Sequence, residues 1–229
     1  MTSLTFFHTS PVHVATFDAL LAELAPDMYA QHLARHVVDE ALLREARDAG
    51  RMTLEMQAKV QARMAELGGE GVVLCTCSTI GGCAEAAASN VIRADRPMAA
   101  RAVQLGSRII VVATLRSTIE PTRDLVLGEA RRAGKQVEVI EVLCEGAWQW
   151  FEKGEPAQYL QAIATTLEQV AEQGDVIALA QASMAGAATL CAHLGKPILS
   201  SPRIGLETAL EAYRIAALKG GAARKPKAP

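Results

Sequence analysis

The stretch Leu74-Cys75-Thr76-Cys77-Ser78-Thr79-Ile80-Gly81-Gly82 decides the fold. An apolar run over residues 72–75 has the length and branching of a buried strand. It stops at a thiol, three hydroxyls and two glycines, and a helical pattern resumes at about residue 82. In open parallel α/β sheets, ligands bind beyond the carboxyl ends of strands, so this turn is a candidate site. The glycines would allow close approach by a ligand. The helix N-terminus beyond them would favour a carboxylate, and it would also pull the Cys77 thiol toward thiolate.

The same alternation extends in both directions. Strands are expected over residues 4–8, 72–75, 108–113, 136–143, 176–180 and 197–199. Helices are expected over 14–24, 40–48, 53–67, 82–89, 101–105, 121–132, 156–172, 183–194 and 206–218. Phe17, Leu20, Leu21 and Leu24 share one face of the first helix. Asp39 and Thr53 are placed as N-caps, Gly50 as a stop, and Pro121 as a helix opener. Residues 28–36 are ambiguous and taken as extended. A boundary falls near residues 92–97. The expected architecture is therefore α/β, with two Rossmann-like lobes, mainly parallel sheets and a cleft between them. The tail 219–229, rich in Gly, Ala, Lys and Pro, is expected to be disordered.

Composition narrows the function. Half of the 229 residues are hydrophobic, which suffices for a packed core, and aromatics are so few that Ala, Val, Leu and Ile must fill it. A net charge of −2 lacks the basic footprint of a nucleic-acid binder. The apolar runs are too short for a membrane span, and the N-terminus reads as a strand, not a signal peptide. Five cysteines, an odd number in a chain of this size, argue for reduced thiols and a cytoplasmic setting. No P-loop or GxGxxG follows a strand, so no nucleotide cofactor is expected. Cys75, Cys77 and Cys83 do not match zinc spacing, so no metal site is expected either.

Four loops lie at strand ends: 8–13, 76–82, 114–120 and 181–185. They supply the candidate ligand-binding residues Thr9, Ser10, Ser78, Thr79, Thr114, Ser117, Thr118, Gln181 and Ser183, with Cys77 as the candidate catalytic group. For the hydroxyls in the later loops, ordinary helix capping is an equally good reading. His8 and His13 flank the first strand end in a ligand-facing position. His32, His36 and His193 are placed at the surface or the core edge.

Residues 73–79 resemble the Cys-Asn-Thr loop of the aspartate/glutamate racemase superfamily, with Cys77 in the cysteine position, Ser78 for Asn and Thr79 for Thr. Residues 113–118 resemble its middle Thr-rich loop, and 175–182 its second-lobe strand and turn. The resemblance covers residues 4–218. It implies two lobes related by a pseudo-twofold axis: 1–93 with a returning closing helix at 204–218, and 94–203. It also implies cofactor-independent chemistry on a small carboxylate, at the carbon α to the carboxyl group. The racemases of the superfamily use two cysteines, one on each face of the substrate. Here the second position falls on Gln181, or on Ala182 with a one-residue shift, and neither exchanges a proton. Ser183 is a weak substitute unless a partner activates it, and Cys191 is placed as structural. One thiol suits a one-sided reaction, an isomerisation or a decarboxylation followed by protonation. The superfamily's arylmalonate decarboxylases keep the second-lobe cysteine instead, and its maleate isomerases use both. Racemisation would need another base, Ser183 or a histidine near His8 or His13. The competing reading is a small-carboxylate binding protein without catalysis. A homodimer is the default expectation for assembly.

Overall fold

The computed structural model of the chain describes residues 3–69 and 71–222. The first part of the chain forms β1 (Leu4–His8), α1 (Val12–Leu24), α2 (Pro26–Ala30), β2 (Ala34–Val38), α3 (Glu40–Ala49), α4 (Leu54–Gly68), β3 (Val72–Cys75), α5 (Ser78–Ala87) and β4 (Val91–Arg93). The second forms α6 (Arg96–Leu105), β5 (Arg108–Ala113), α7 (Arg116–Arg132), β6 (Glu138–Leu143), α8 (Ala147–Glu152), α9 (Pro156–Val170), β7 (Val176–Leu179), α10 (Ala185–Leu190) and β8 (Ile198–Ser200). A last helix, α11 (Ser201–Ala222), follows. Two four-stranded sheets result, ordered β2-β1-β3-β4 and β6-β5-β7-β8, and every pairing is parallel. The α/β architecture with two parallel sheets is the expected one.

The central strands β1, β3, β5 and β7 are almost wholly buried, as sheets covered by helices on both faces require. β2 and β6 lie at sheet edges and stay half-exposed. That exposure explains the extended stretch expected over 28–36. Its first part is instead the short helix α2, and the strand begins only at Ala34, because the edge sequence Ala-Arg-His-Val-Val lacks a continuous apolar run. Strand β4 and helix α8 were not expected at all. α8 is held by tertiary contacts, with Trp148 stacked on Phe151 at 4.4 Å and Phe151 against Tyr159 at 5.3 Å.

Several helices start upstream of the expected residues, α6 at Arg96 and α11 at Ser201 among them, and the shifts of α5 and α7 bear on the site. α5 begins at Ser78, so Gly81 and Gly82 lie inside the helix. They do not open it to a ligand. A Cβ at Gly81 would sit 3.2 Å from Arg93 Nε, so the glycine makes room for that guanidinium. α7 begins at Arg116 and carries Pro121 within it, giving up one backbone hydrogen bond there. Thr53 caps α4 as expected, accepting from Met56 N–H at 3.3 Å, whereas Asp39 occupies the cap position of α3 without a side-chain bond. α11 is helical through Ala222, past the expected start of a disordered tail at Lys219; residues 223–229 lie outside the described residues.

α11 packs on the first sheet, where Leu206, Ala209 and Leu210 join a core containing Leu4, Phe6, Phe17, Val72 and Leu74. Its close approach depends on Gly205, where a Cβ would fall 2.5 Å from the Ala94 carbonyl oxygen. Backbone atoms cannot yield as a side chain tip can. Gly205→Ala should therefore destabilise the protein by about 1–3 kcal/mol, read as a lower urea midpoint with an unchanged m-value.

Candidate functional site

The two sheets present equivalent positions. Phe7 pairs with Cys75 in the first, and Val112 pairs with Leu179 in the second. Thr76 N–H bonds to Phe7 O at 3.0 Å, and Ala180 N–H to Val112 O at 2.9 Å. Two residues beyond each matched pair lie Thr9 with Cys77, and Thr114 with Gln181. Cys77 and Gln181 both have extended backbone and stand at the N-cap of the following helical turn. Gln181 is thus the second-lobe counterpart of Cys77, and Ala182 is not.

Cys77 and Gln181 line one small inter-lobe cavity, together with Thr9, Ser10, His13 and Ser183. Thr76, Ser78, Thr79 and Thr118 also border it. Its free volume is only about 30 Å³, room for about two waters, so a carboxylate ligand requires the lobes to part. Of the candidate residues, Thr114 lies just behind this wall. Ser117 does not belong to it: its buried hydroxyl has no partner and borders a separate cavity of about 790 Å³. Thr79 borders both, and its hydroxyl meets Thr118 Oγ1 at 3.1 Å, tying α5 to α7.

Cys77 is half-buried. Burial pushes its thiol up, and the Thr9 hydroxyl, the N–H groups of Ile80 and Thr79, and the Thr79 hydroxyl offset that only in part. The expected thiolate is therefore not the resting form. The helix N–H groups do point at the sulfur, but exclusion of water outweighs them. Ser78 gives its hydroxyl to Asp95, and Asp95 holds Arg93 through Nε at 2.7 Å and Nη2 at 2.8 Å. This buried pair lies directly under the helix start that carries Cys77.

The opposite half is closed by hydrogen bonds. Gln181 Oε1 accepts from Thr114 N–H at 2.7 Å, Thr114 Oγ1–H at 2.9 Å and Leu115 N–H at 3.3 Å. Ser183 Oγ is 2.8 Å from Tyr159 Oη, which is 3.3 Å from Thr114 Oγ1. Ser183 is engaged and has no basic partner. Tyr159, fully buried and 22 residues from the nearest candidate loop, carried no signal in the sequence beyond its place on a helix.

The sequence also failed to reveal a chain of polar groups beside Cys77. His8 Nδ1 is 2.8 Å from Thr76 Oγ1, His8 Nε2 is 2.8 Å from His36 Nδ1, and His36 Nε2 is 3.1 Å from Asp18 Oδ1. His36 is thus at the core edge, as one of the two expected placements had it, and is hydrogen-bonded to His8. Burial and the neighbouring His36 and His13 push His8 down to about 3, and burial pushes His13 down to about 4. Both rings are neutral at pH 7. Among the described residues, no three His, Cys, Asp or Glu side chains gather as metal ligands would. No described helix is long and apolar enough to cross a membrane.

No family model and no curated protein matches the chain. Solved structures match it over nearly its whole length. A Picrophilus torridus aspartate racemase superposes with a TM-score of 0.65 at 12% identity, covering 95% of each chain. A glutamate racemase from Francisella tularensis, in complex with D-glutamate, gives 0.67 at 14%, covering 96% of this chain and 82% of that one. An allantoin racemase from Klebsiella pneumoniae gives 0.61 at 14%, covering 94% and 89%. The chain has the two-lobed fold of these racemases.

Two outcomes follow from the electrostatics. A histidine depressed below its unfolded value of 6.5 contributes stability that is complete above that value. The contribution is lost as pH falls toward the folded value, because the unfolded chain takes up the proton first. The urea midpoint should therefore fall steadily between pH 6.5 and pH 4, and less so in His13→Gln. Alkylation of Cys77 by iodoacetamide, followed by peptide mass spectrometry, should set in above the pH of an ordinary thiol (about 8.5). Thr9→Val, which removes a donor to the sulfur, should move the onset higher still.

Proposed function

We propose that this chain is a cofactor-independent enzyme acting at the carbon α to the carboxylate of a small acid, with Cys77 as acid/base or nucleophile. One observation carries this reading: a thiol sits at the N-cap of α5, aimed at by two helix N–H groups, on the wall of a small cavity between two lobes. Such a site can stabilise a thiolate as it forms and can hold charge next to a bound carboxylate. The likeness in fold to aspartate, glutamate and allantoin racemases supports the same chemistry. Ser10, Thr79, Thr118 and the Gln181 amide are positioned to orient the acid.

The reaction is one-sided. Gln181 stands where a second proton carrier would act, and it accepts three hydrogen bonds there. Isomerisation, or decarboxylation with stereoselective protonation, fits one thiol better than symmetric racemisation does. If a second proton carrier operates, the neutral imidazole of His13 on the cavity wall fits that role better than the engaged hydroxyl of Ser183.

The upward shift of Cys77 and the closed Gln181 half also support a second reading, a carboxylate sensor without turnover. A panel of small mono- and dicarboxylic acids, incubated with the protein in deuterated water and followed by proton NMR, separates the two. The expected result is α-deuteration or conversion of at least one acid, reduced about 10²-fold or more in Cys77→Ser with the fold intact. An acid that binds wild type and Cys77→Ser equally, with no exchange in either, would establish the sensor.

A further inference from the structure

The geometry points to a proton relay, Asp18–His36–His8–Thr76, that connects solvent to the floor of the Cys77 cavity. This inference rests on the reading of Cys77 as a proton-transferring group. The outer end, Asp18, has a side chain 41% exposed, and the inner end, Thr76, is buried and borders the cavity beside Cys77. Between them His8 is fully buried. Phe6 stacks on His36 at 4.7 Å and Phe17 lies 5.5 Å from His8, so aromatic faces insulate both rings from water. The three links span 2.8, 2.8 and 3.1 Å, each within hydrogen-bond range.

The chain has a defined direction. With Asp18 Oδ1 accepting from His36 Nε2–H, His36 Nδ1 is left to accept from His8 Nε2–H. His8 Nδ1 then accepts from the Thr76 hydroxyl. A second arrangement is also available, because Thr76 Oγ1 lies 3.2 Å from Phe7 O and can donate there while accepting from His8 Nδ1–H. Passage between the two moves one proton without leaving a charge inside. Thr76 takes a proton from the cavity and gives its own to His8 Nδ1. His8 passes its Nε2 proton to His36 Nδ1, and His36 passes its Nε2 proton to the Asp18 carboxylate, which releases it to water. The reverse shift returns a proton to the cavity. A cavity of about 30 Å³ admits little water, and a hydrogen-bonded path gives a proton a way across its wall.

A purely structural cluster would hold β1, β2 and α1 together without carrying protons, and two measurements distinguish it from a relay. In the wild type, long-range proton–nitrogen NMR at pH 7.5 should show the Nε2–H tautomer for both His8 and His36, as the hydrogen-bond order requires. A cationic His36, or a His8 protonated on Nδ1, would overturn the direction and the relay with it. On an acid that exchanges its α-proton, His36→Ala should lower the exchange rate at least about tenfold, with unchanged affinity, and imidazole in the buffer should restore it saturably. Asp18→Asn, altered only at the half-exposed end, provides a variant that keeps the fold, and it should also slow exchange. Exchange indifferent to both variants, or slowed without rescue by imidazole, overturns the relay and leaves the enzyme reading standing. No exchange in the wild type with any acid overturns both.

Discussion

The buried pair of Arg93 and Asp95 is the constraint on which the site depends. Both side chains are at least 95% shielded, and the guanidinium meets the carboxylate through two nitrogens. Burial alone would raise the Asp95 pKa, but the adjacent charge outweighs it and keeps Asp95 low. Such pairs contribute little net stability, because desolvation offsets their attraction; their value lies in fixing geometry. Here the geometry is specific. Asp95 accepts from Ser78, the first residue of α5, and the Arg93 guanidinium fills the space left by Gly81 and Gly82. The helix start that carries Cys77 is thereby held against β4, and its N–H groups are aimed before any ligand arrives.

The internal repeat shows how one half of the cleft was specialised. Thr9 and Thr114 occupy matched strand-end positions, and each bonds the residue at the matched N-cap. In the first lobe that residue is a titratable thiol, facing Thr9 and the N–H groups of Thr79 and Ile80. In the second it is an amide whose carbonyl consumes the N–H groups of Thr114 and Leu115. An amide donates and accepts but does not ionise at ordinary pH. The two strand ends therefore match in backbone and differ in chemistry, a titratable thiol at one N-cap and an amide at the other.

The fold was legible because its interior strands are written plainly. Runs such as Arg-Ile-Ile-Val-Val-Ala at 108–113 and Val-Ile-Ala-Leu at 176–179 can be little else than buried parallel strands, and β5 occurs with the expected bounds. Edge strand β2 was obscured because it is partly exposed along its length and its sequence, Ala-Arg-His-Val-Val, is neither a continuous apolar run nor a regular alternation. The loop around Cys77 was located from its position, but its electrostatics were not. Local sequence shows a helix N-terminus near a thiol; it does not show that the other lobe closes over it. The His8–His36–Asp18 chain was invisible for a similar reason: its members are brought together by β1–β2 pairing and by α1, across 28 and 18 residues.

These features together give a site that is neutral at rest. The thiol is pushed up, both nearby histidines are pushed down, and the opposite wall cannot ionise. Exclusion of water from the small cavity disfavours a thiolate there, and the donors aimed at the sulfur must compensate the lost water for one to form. Those donors are already in place on α5, fixed by the Arg93–Asp95 pair, so the cost of orienting them is met during folding and not during reaction. What the resting cavity lacks is a charge for them to act on. Under the proposed function, a carboxylate bound at the start of α5 would compete with the thiolate for the same N–H groups of Thr79 and Ile80. On the same proposal, the Gln181 amide nitrogen is the donor with which the second lobe would hold the acid, since its oxygen is already taken by Thr114 and Leu115, and the first lobe's donors would stay with the sulfur.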